Sequence, residues 1–141
     1  MGRLEINMRK LKELNGFSLG KKLTIAIDID GTIADSSGVD FRRVSRKPDE
    51  ILKAKPIKGA LKAVKRLYKE GHTIVFYTCR NYASKLMTMK WLKKHGFPFH
   101  HLEMKKFVAH VYIDDRAING CSWKRIKESL ETLSILIGTV T

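Results

Sequence analysis

An alternation constrains this chain more than any other feature. Short, β-branched apolar runs at residues 23–27 (LTIAI), 73–78 (TIVFYT) and 108–113 (VAHVYI) are separated by stretches of helical periodicity. Each run is too short for a helix and too apolar for a loop, and glycines flank the first one, Gly20 before it and Gly31 after it. Strands that alternate with helices of about 10–15 residues form βαβ units and a parallel sheet. The expected fold is therefore α/β: a Rossmann-like parallel sheet flanked by helices.

The helices can be placed by their apolar faces. Leu61, Val64, Leu67 and Tyr68 share a face over 58–70, and Gly71 supplies a stop. Asn81 can cap a helix over 82–95, with Ala83, Leu86, Met87 and Trp91 as its buried stripe; Gly96 and Pro98 end it. A last helix is expected over 122–133, followed by an apolar tail at 133–140 of either type. Residues 99–103 predict a short strand. Residues 31–56 read mostly as loop, with a turn of helix at 49–53. Leu4, Met8, Leu11 and Leu14 mark a short helix ahead of the first strand, stopped by Gly16. The division expected is a basic helical extension over 1–22 and one catalytic domain over 23–141.

A chain of 141 residues suits one domain and buries enough surface to make its own core. No apolar run approaches the roughly 20 residues of a membrane span. The N-terminus has no apolar run of the secretory kind, and Cys79 and Cys121 make no disulfide framework. The expected setting is cytoplasmic, with no membrane partner. The charge is +14, concentrated as +4 over 1–22 and +8 over 41–70, whereas 107–141 are neutral. Such an excess favours anionic partners, although a solvated lysine-rich surface explains much of it. Aromatic residues are sparse among the basic ones, so any nucleic-acid binding is expected to be weak and unspecific.

In open α/β sheets ligands sit beyond the carboxyl ends of the strands. Four polar clusters fall there: Asp28 and Asp30 after the first run, Thr78 with Cys79, Arg80 and Asn81 after the second, Lys105 and Lys106 before the third, and Asp114 and Asp115 after it. Four carboxylates at one sheet edge repel one another unless a cation joins them, and hard oxygen ligands suit Mg²⁺. A carboxylate can attack phosphorus to form an aspartyl-phosphate, provided that a cation, a hydroxyl donor, an ammonium and a second acid assist. Arg80 and Asn81 lie at the mouth of the expected site, where they either bind substrate or cap the helix. Cys79 reads as a packing residue.

The segment Asp28-Ile29-Asp30-Gly31-Thr32 resembles the DxDGT signature of the haloacid dehalogenase (HAD) superfamily. Thr78 after its strand, a lysine ahead of the third run, and Asp114-Asp115 behind that run resemble the superfamily's remaining motifs, in its order, between about 23 and 120. The resemblance implies Asp28 as nucleophile and Asp30 as general acid/base, with Thr78 and a lysine on the phosphoryl group. Lys106 fits the spacing, eight residues before Asp114. Lys105 stays open because Phe107 stands where relatives often have proline. Asp28, the Asp30 carbonyl, Asp114 and Asp115 would hold Mg²⁺.

Neither interval between motifs has room for a cap domain, so the resemblance implies a small capless phosphatase with an open cleft. Such a cleft admits a sugar phosphate, a nucleotide or a polynucleotide end, or is closed by a second subunit in a homo-oligomer. Phosphotransfer to an acceptor other than water and nucleic-acid binding are the alternatives on the same fold.

Overall fold

The computed structural model describes residues 22–115, 117–119 and 122–140, with side chains through Thr132. The helix expected over 4–14, most of the 1–22 extension, and Cys121 lie outside the described residues. Three parallel strands form the sheet: β1 (Thr24–Asp28), β4 (Thr73–Tyr77) and β5 (His101–Glu103), in the order β1-β4-β5. The register aligns Asp28 with Tyr77 and Tyr77 with Glu103, so all three strands end on one edge. Ile27, Ile74, Phe76 and Leu102 turn one set of side chains into the core, as the period of two requires.

Helix α1 (Ala60–Lys69) packs on β4 through a face that buries Ala60, Val64 and Leu67. It ends where Gly71 takes φ 91°, a left-handed conformation costly for any residue with a Cβ. Helix α2 (Lys85–Lys94) follows a 3-10 turn (Tyr82–Ser84) and packs on a second 3-10 turn (Pro48–Lys53), where Trp91 Nε1 donates to the Ala54 carbonyl at 2.9 Å. Helix α3 (Trp123–Val140) lies against α1. Its helical backbone runs through the tail at 133–140. A short antiparallel pair, β2 (Ala34–Asp35) with β3 (Lys55–Pro56), breaks the expected loop and holds its two ends together. No helix among the described residues is long and apolar enough to cross a membrane.

Two expectations are corrected. Of the expected stripe Ala83, Leu86, Met87 and Trp91, Trp91 alone is buried. Leu86 is 78% exposed, and the buried residues are Ser84, Thr88, Trp91 and Leu92. The small polar pair is buried because it has polar partners inside: Ser84 Oγ donates to the Asn81 carbonyl and Thr88 Oγ1 accepts from Arg80. Residues 108–113 are not a strand, and Val108, Val111 and Ile113 are exposed. The Tyr112 hydroxyl donates to the Phe107 carbonyl, folding the segment back on itself and engaging a carbonyl that a strand ladder would use.

Candidate active site

The first motif is held by its own backbone. Beyond β1 the Ile29 carbonyl accepts from the Thr32, Ile33 and Ala34 amides, at 3.1, 2.9 and 3.0 Å, while Gly31 N–H donates to the Ala34 carbonyl at 2.8 Å. This tight loop needs Gly31 at φ 81°. Ile29 and Ile33, both fully buried, anchor it in the core. From α3, Trp123 Nε1 donates to the Thr32 carbonyl at 3.0 Å. Asp28 and Asp30 therefore leave a fixed turn, each about 30% exposed.

The two carboxylates have different neighbours. Asp28 Oδ1 lies 3.4 Å from Lys106 Nζ, and Asp28 Oδ2 is 3.5 Å from Thr32 Oγ1. The Lys106 ammonium is largely enclosed, 4.4 Å from the centre of the Tyr77 ring and 4.9 Å from that of Tyr112. Burial pulls this ammonium down, but the Asp28 carboxylate and Tyr77 outweigh it and raise Lys106 above the usual lysine value. Lys105 is exposed, and its backbone N–H donates to Glu103 Oε1 at 2.9 Å. Lys106 is thus the lysine beside Asp28.

Asp30 faces Arg80 instead. Arg80 Nε donates to Asp30 Oδ2 at 2.8 Å and Nη2 to Oδ1 at 2.6 Å, a bidentate pair. Ser36 Oγ is hydrogen-bonded to the same Oδ1. Thr78 is buried at the end of β4; its N–H donates to the Glu103 carbonyl at 2.9 Å, and its carbonyl accepts from Lys106 N–H at 3.3 Å. These two bonds bring the second and third motifs to one edge.

The expectations for the remaining residues fare differently. Arg80 does not stand at the mouth: its side chain is 2% exposed and points at Asp30. Asn81 is exposed and caps the following turn, its Oδ1 accepting from Ala83 N–H at 3.0 Å. Cys79 is exposed, with Sγ 3.7 Å from the Tyr112 hydroxyl. Asp114 and Asp115 are exposed in the segment that forms no strand. Among the described residues, no group of three or more His, Cys, Asp or Glu side chains gathers to hold a metal ion. The expected convergence of Asp114 and Asp115 on Asp28 and Asp30 is therefore not present in this structure, because the strand that would carry the pair is not formed. Asp28 is nevertheless a hard oxygen donor of the kind Mg²⁺ takes. Sequence reading missed Ser36, Thr88 and Trp123, and no local pattern links Arg80 to Asp30, fifty residues away.

A Vibrio cholerae protein of known crystal structure superposes with a TM-score of 0.61, at 20% identity, over 82% of this chain and 97% of its own. A chain of the Pnkp1/Rnl/Hen1 complex superposes with a TM-score of 0.51, at 21% identity, over 70% of this chain. This chain spans only 31% of that second one. At such identities the likeness is one of fold. No curated protein matches the chain. Residues 25–126, which include all the motif residues described above, match the family model described as PITM 1-3, LNS2 domain. The chain belongs to the LNS2 domain family, a phosphatase-type branch of the HAD-like superfamily.

Proposed function

We propose that the protein is a Mg²⁺-dependent phosphomonoester hydrolase that works through an aspartyl-phosphate on Asp28. The observation that carries this reading is the Asp28–Lys106 pair at 3.4 Å on the sheet edge, with Thr78 just past the end of the neighbouring strand and Asp30 two residues on. Asp28 attacks phosphorus. The Lys106 ammonium offsets negative charge on the carboxylate and then on the phosphoryl oxygens. Thr78 Oγ1 accepts from Arg80 N–H at 3.1 Å, which leaves its hydroxyl hydrogen for a phosphoryl oxygen. Asp30 moves protons. Mg²⁺, when bound, supplies positive charge against the carboxylates and the phosphoryl group. Asp28, the Asp30 carbonyl and the Asp114–Asp115 pair are its proposed ligands, which requires the 105–119 segment to bring that pair to Asp28. Exposed Arg42, Arg43, Arg46 and Lys47 draw phosphorylated substrates towards the molecule.

The test is phosphate release from a panel of sugar phosphates, nucleotides, polynucleotide 3′ and 5′ phosphates and p-nitrophenyl phosphate. Activity should be lost with EDTA and restored by Mg²⁺. Full activity in a metal-free preparation contradicts the metal assignment, and release from no substrate contradicts the hydrolase reading. A second reading, nucleic-acid binding, draws on the outer face of α2, where Lys90, Lys93 and Lys94 flank Leu86 and Met89 with no acid among them. Its mark would be gel-shift binding that weakens as salt rises, as lysine–phosphate contacts require, and that is lost when Lys90, Lys93 and Lys94 are changed together to Ala.

A further inference from the structure

No acidic residue lies between Glu70 and Glu103. The 3-10 turn Tyr82–Ser84 and helix α2 fall within that stretch, so their lysines have no carboxylate one turn away to pair with. Helix α1 is built differently: Arg66 pairs with Glu70 at 2.8 Å and reaches Glu131 of α3 at 3.8 Å. Among the described residues, Lys85, Lys90, Lys93 and Lys94 enter no ion pair.

These lysines share a side of the helix. With Ser84, Thr88, Trp91 and Leu92 buried, the outward stripe runs Tyr82, Lys85, Leu86, Met89, Lys90 and Lys93, at helical spacing. Lys94 completes one shallow depression with Leu86, Met89, Lys90 and Lys93. Tyr82 is 64% exposed, and Lys85 Nζ stands 5.4 Å from the centre of its ring. At 1.5 Å per residue the stripe is about 17 Å long. It begins beside the candidate site: Tyr82 follows Thr78 by four residues, and Arg80 between them holds Asp30. The helix carries the stripe away from that edge.

We propose that α2 is a track for the body of a single-stranded polynucleotide whose terminal phosphate enters the Asp28–Lys106 site. The inference rests on the hydrolase reading and names its substrate class. Spaced cations suit the spaced phosphates of a strand, while Tyr82, Leu86 and Met89 offer a ring and apolar surface to unpaired bases. A duplex keeps its bases stacked inside and leaves Tyr82 without a partner. An anionic membrane is a poorer fit, because a helix that lies on lipid needs a broad apolar face, and Trp91 and Leu92 are turned into the core. In the reaction the terminal phosphorus–oxygen ester bond breaks. One water supplies a hydroxyl to the phosphate and a proton to the strand, which leaves as an alcohol.

The experiment measures kcat/KM of the full chain with Mg²⁺ on thymidine monophosphate and on thymidine strands of about two, four and eight nucleotides with a terminal phosphate, at the 3′ end in one series and the 5′ end in another. In one series the value should rise at least about tenfold from monomer to the longest strand, mostly through KM. With Lys106 on the terminal phosphate and four lysines on the track, raising salt from about 50 to 200 mM should weaken binding of that strand to Asp28→Asn protein about 100-fold. Changing Lys90, Lys93 and Lys94 together to Ala should cut that loss below about tenfold and bring the strand-to-monomer ratio of kcat/KM within about threefold. Changing the three to Arg should keep the ratio. A merely structural role would lower strand and monomer alike. A flat length series, or a ratio unmoved by the Ala changes, overturns the inference while turnover of p-nitrophenyl phosphate leaves the hydrolase reading intact. Lysine-dependent binding to phosphatidylserine vesicles together with a flat length series assigns the face to a membrane instead. No turnover of any phosphate overturns the hydrolase reading and the inference with it.

Discussion

Residues 28–36 and residues 105–115 each carry a pair of acids that the motifs single out, and the two stretches are built in opposite ways. In the first, buried Ile29 and Ile33, three amides on one carbonyl and the indole of Trp123 fix the backbone that aims Asp28 and Asp30. In the second, Phe107, Val108, Val111 and Ile113 are exposed; the Lys106 side chain reaches Asp28 and Tyr77, its N–H meets the Thr78 carbonyl, and the Tyr112 hydroxyl lies by Cys79. The stretch that carries Asp28 and Asp30 is thus built into the core, whereas the stretch that carries Asp114 and Asp115 lies on the surface.

Core truncation should show the largest effect of this difference. Ile33→Ala removes a fully buried side chain under the first motif, so it should cost about 2–5 kcal/mol in denaturant unfolding. A loss below about 0.5 kcal/mol would mean that the turn is not anchored as described.

Lys106 should give a smaller, pH-dependent signature. Its ammonium titrates above its unfolded value of 10.5, held there by Asp28 and Tyr77 against the opposing effect of burial. A group raised on folding stabilises fully below its unfolded value, and the gain fades as pH rises through the folded value. The stability difference between the parent and Lys106→Met should therefore be flat from pH 7 to about 10 and shrink above that. A difference that grows with pH over the same range would reverse the assignment.

The smallest effect belongs to the exposed stretch. Ile113 is 98% exposed, and Ile113→Ser should change stability by less than about 0.5 kcal/mol. A larger loss would show that residues 108–113 are packed in solution, and the contrast between the two stretches would vanish.

Much of this was legible in the sequence, for physical reasons. Strands β1 and β4 and helix α1 were readable because burial imposes a period on their side chains. Asp28-x-Asp30-Gly31-Thr32 was readable because one tight turn requires a glycine. The inner face of α2 was not, since Ser84 and Thr88 are buried through hydrogen bonds that no hydropathy pattern encodes. Arg80 misled for the same cause: an arginine beside a motif reads as exposed until a carboxylate fifty residues away is seen to pair with it. Residues 108–113 carry a strand's composition, yet that composition does not supply the neighbouring strand or the cover that a strand needs.

The central claim is that Asp28 accepts the phosphoryl group. It is tested most directly by quenching the Mg²⁺-loaded protein during turnover of p-nitrophenyl phosphate, reducing with borohydride, and mapping the modified residue by peptide mass spectrometry. The reduction converts an acyl-phosphorylated aspartate to homoserine and leaves free aspartates unchanged. Homoserine at position 28, absent without substrate and absent in Asp28→Asn, is the expected result. Turnover with no modification at 28, or modification at Asp30 instead, would contradict it.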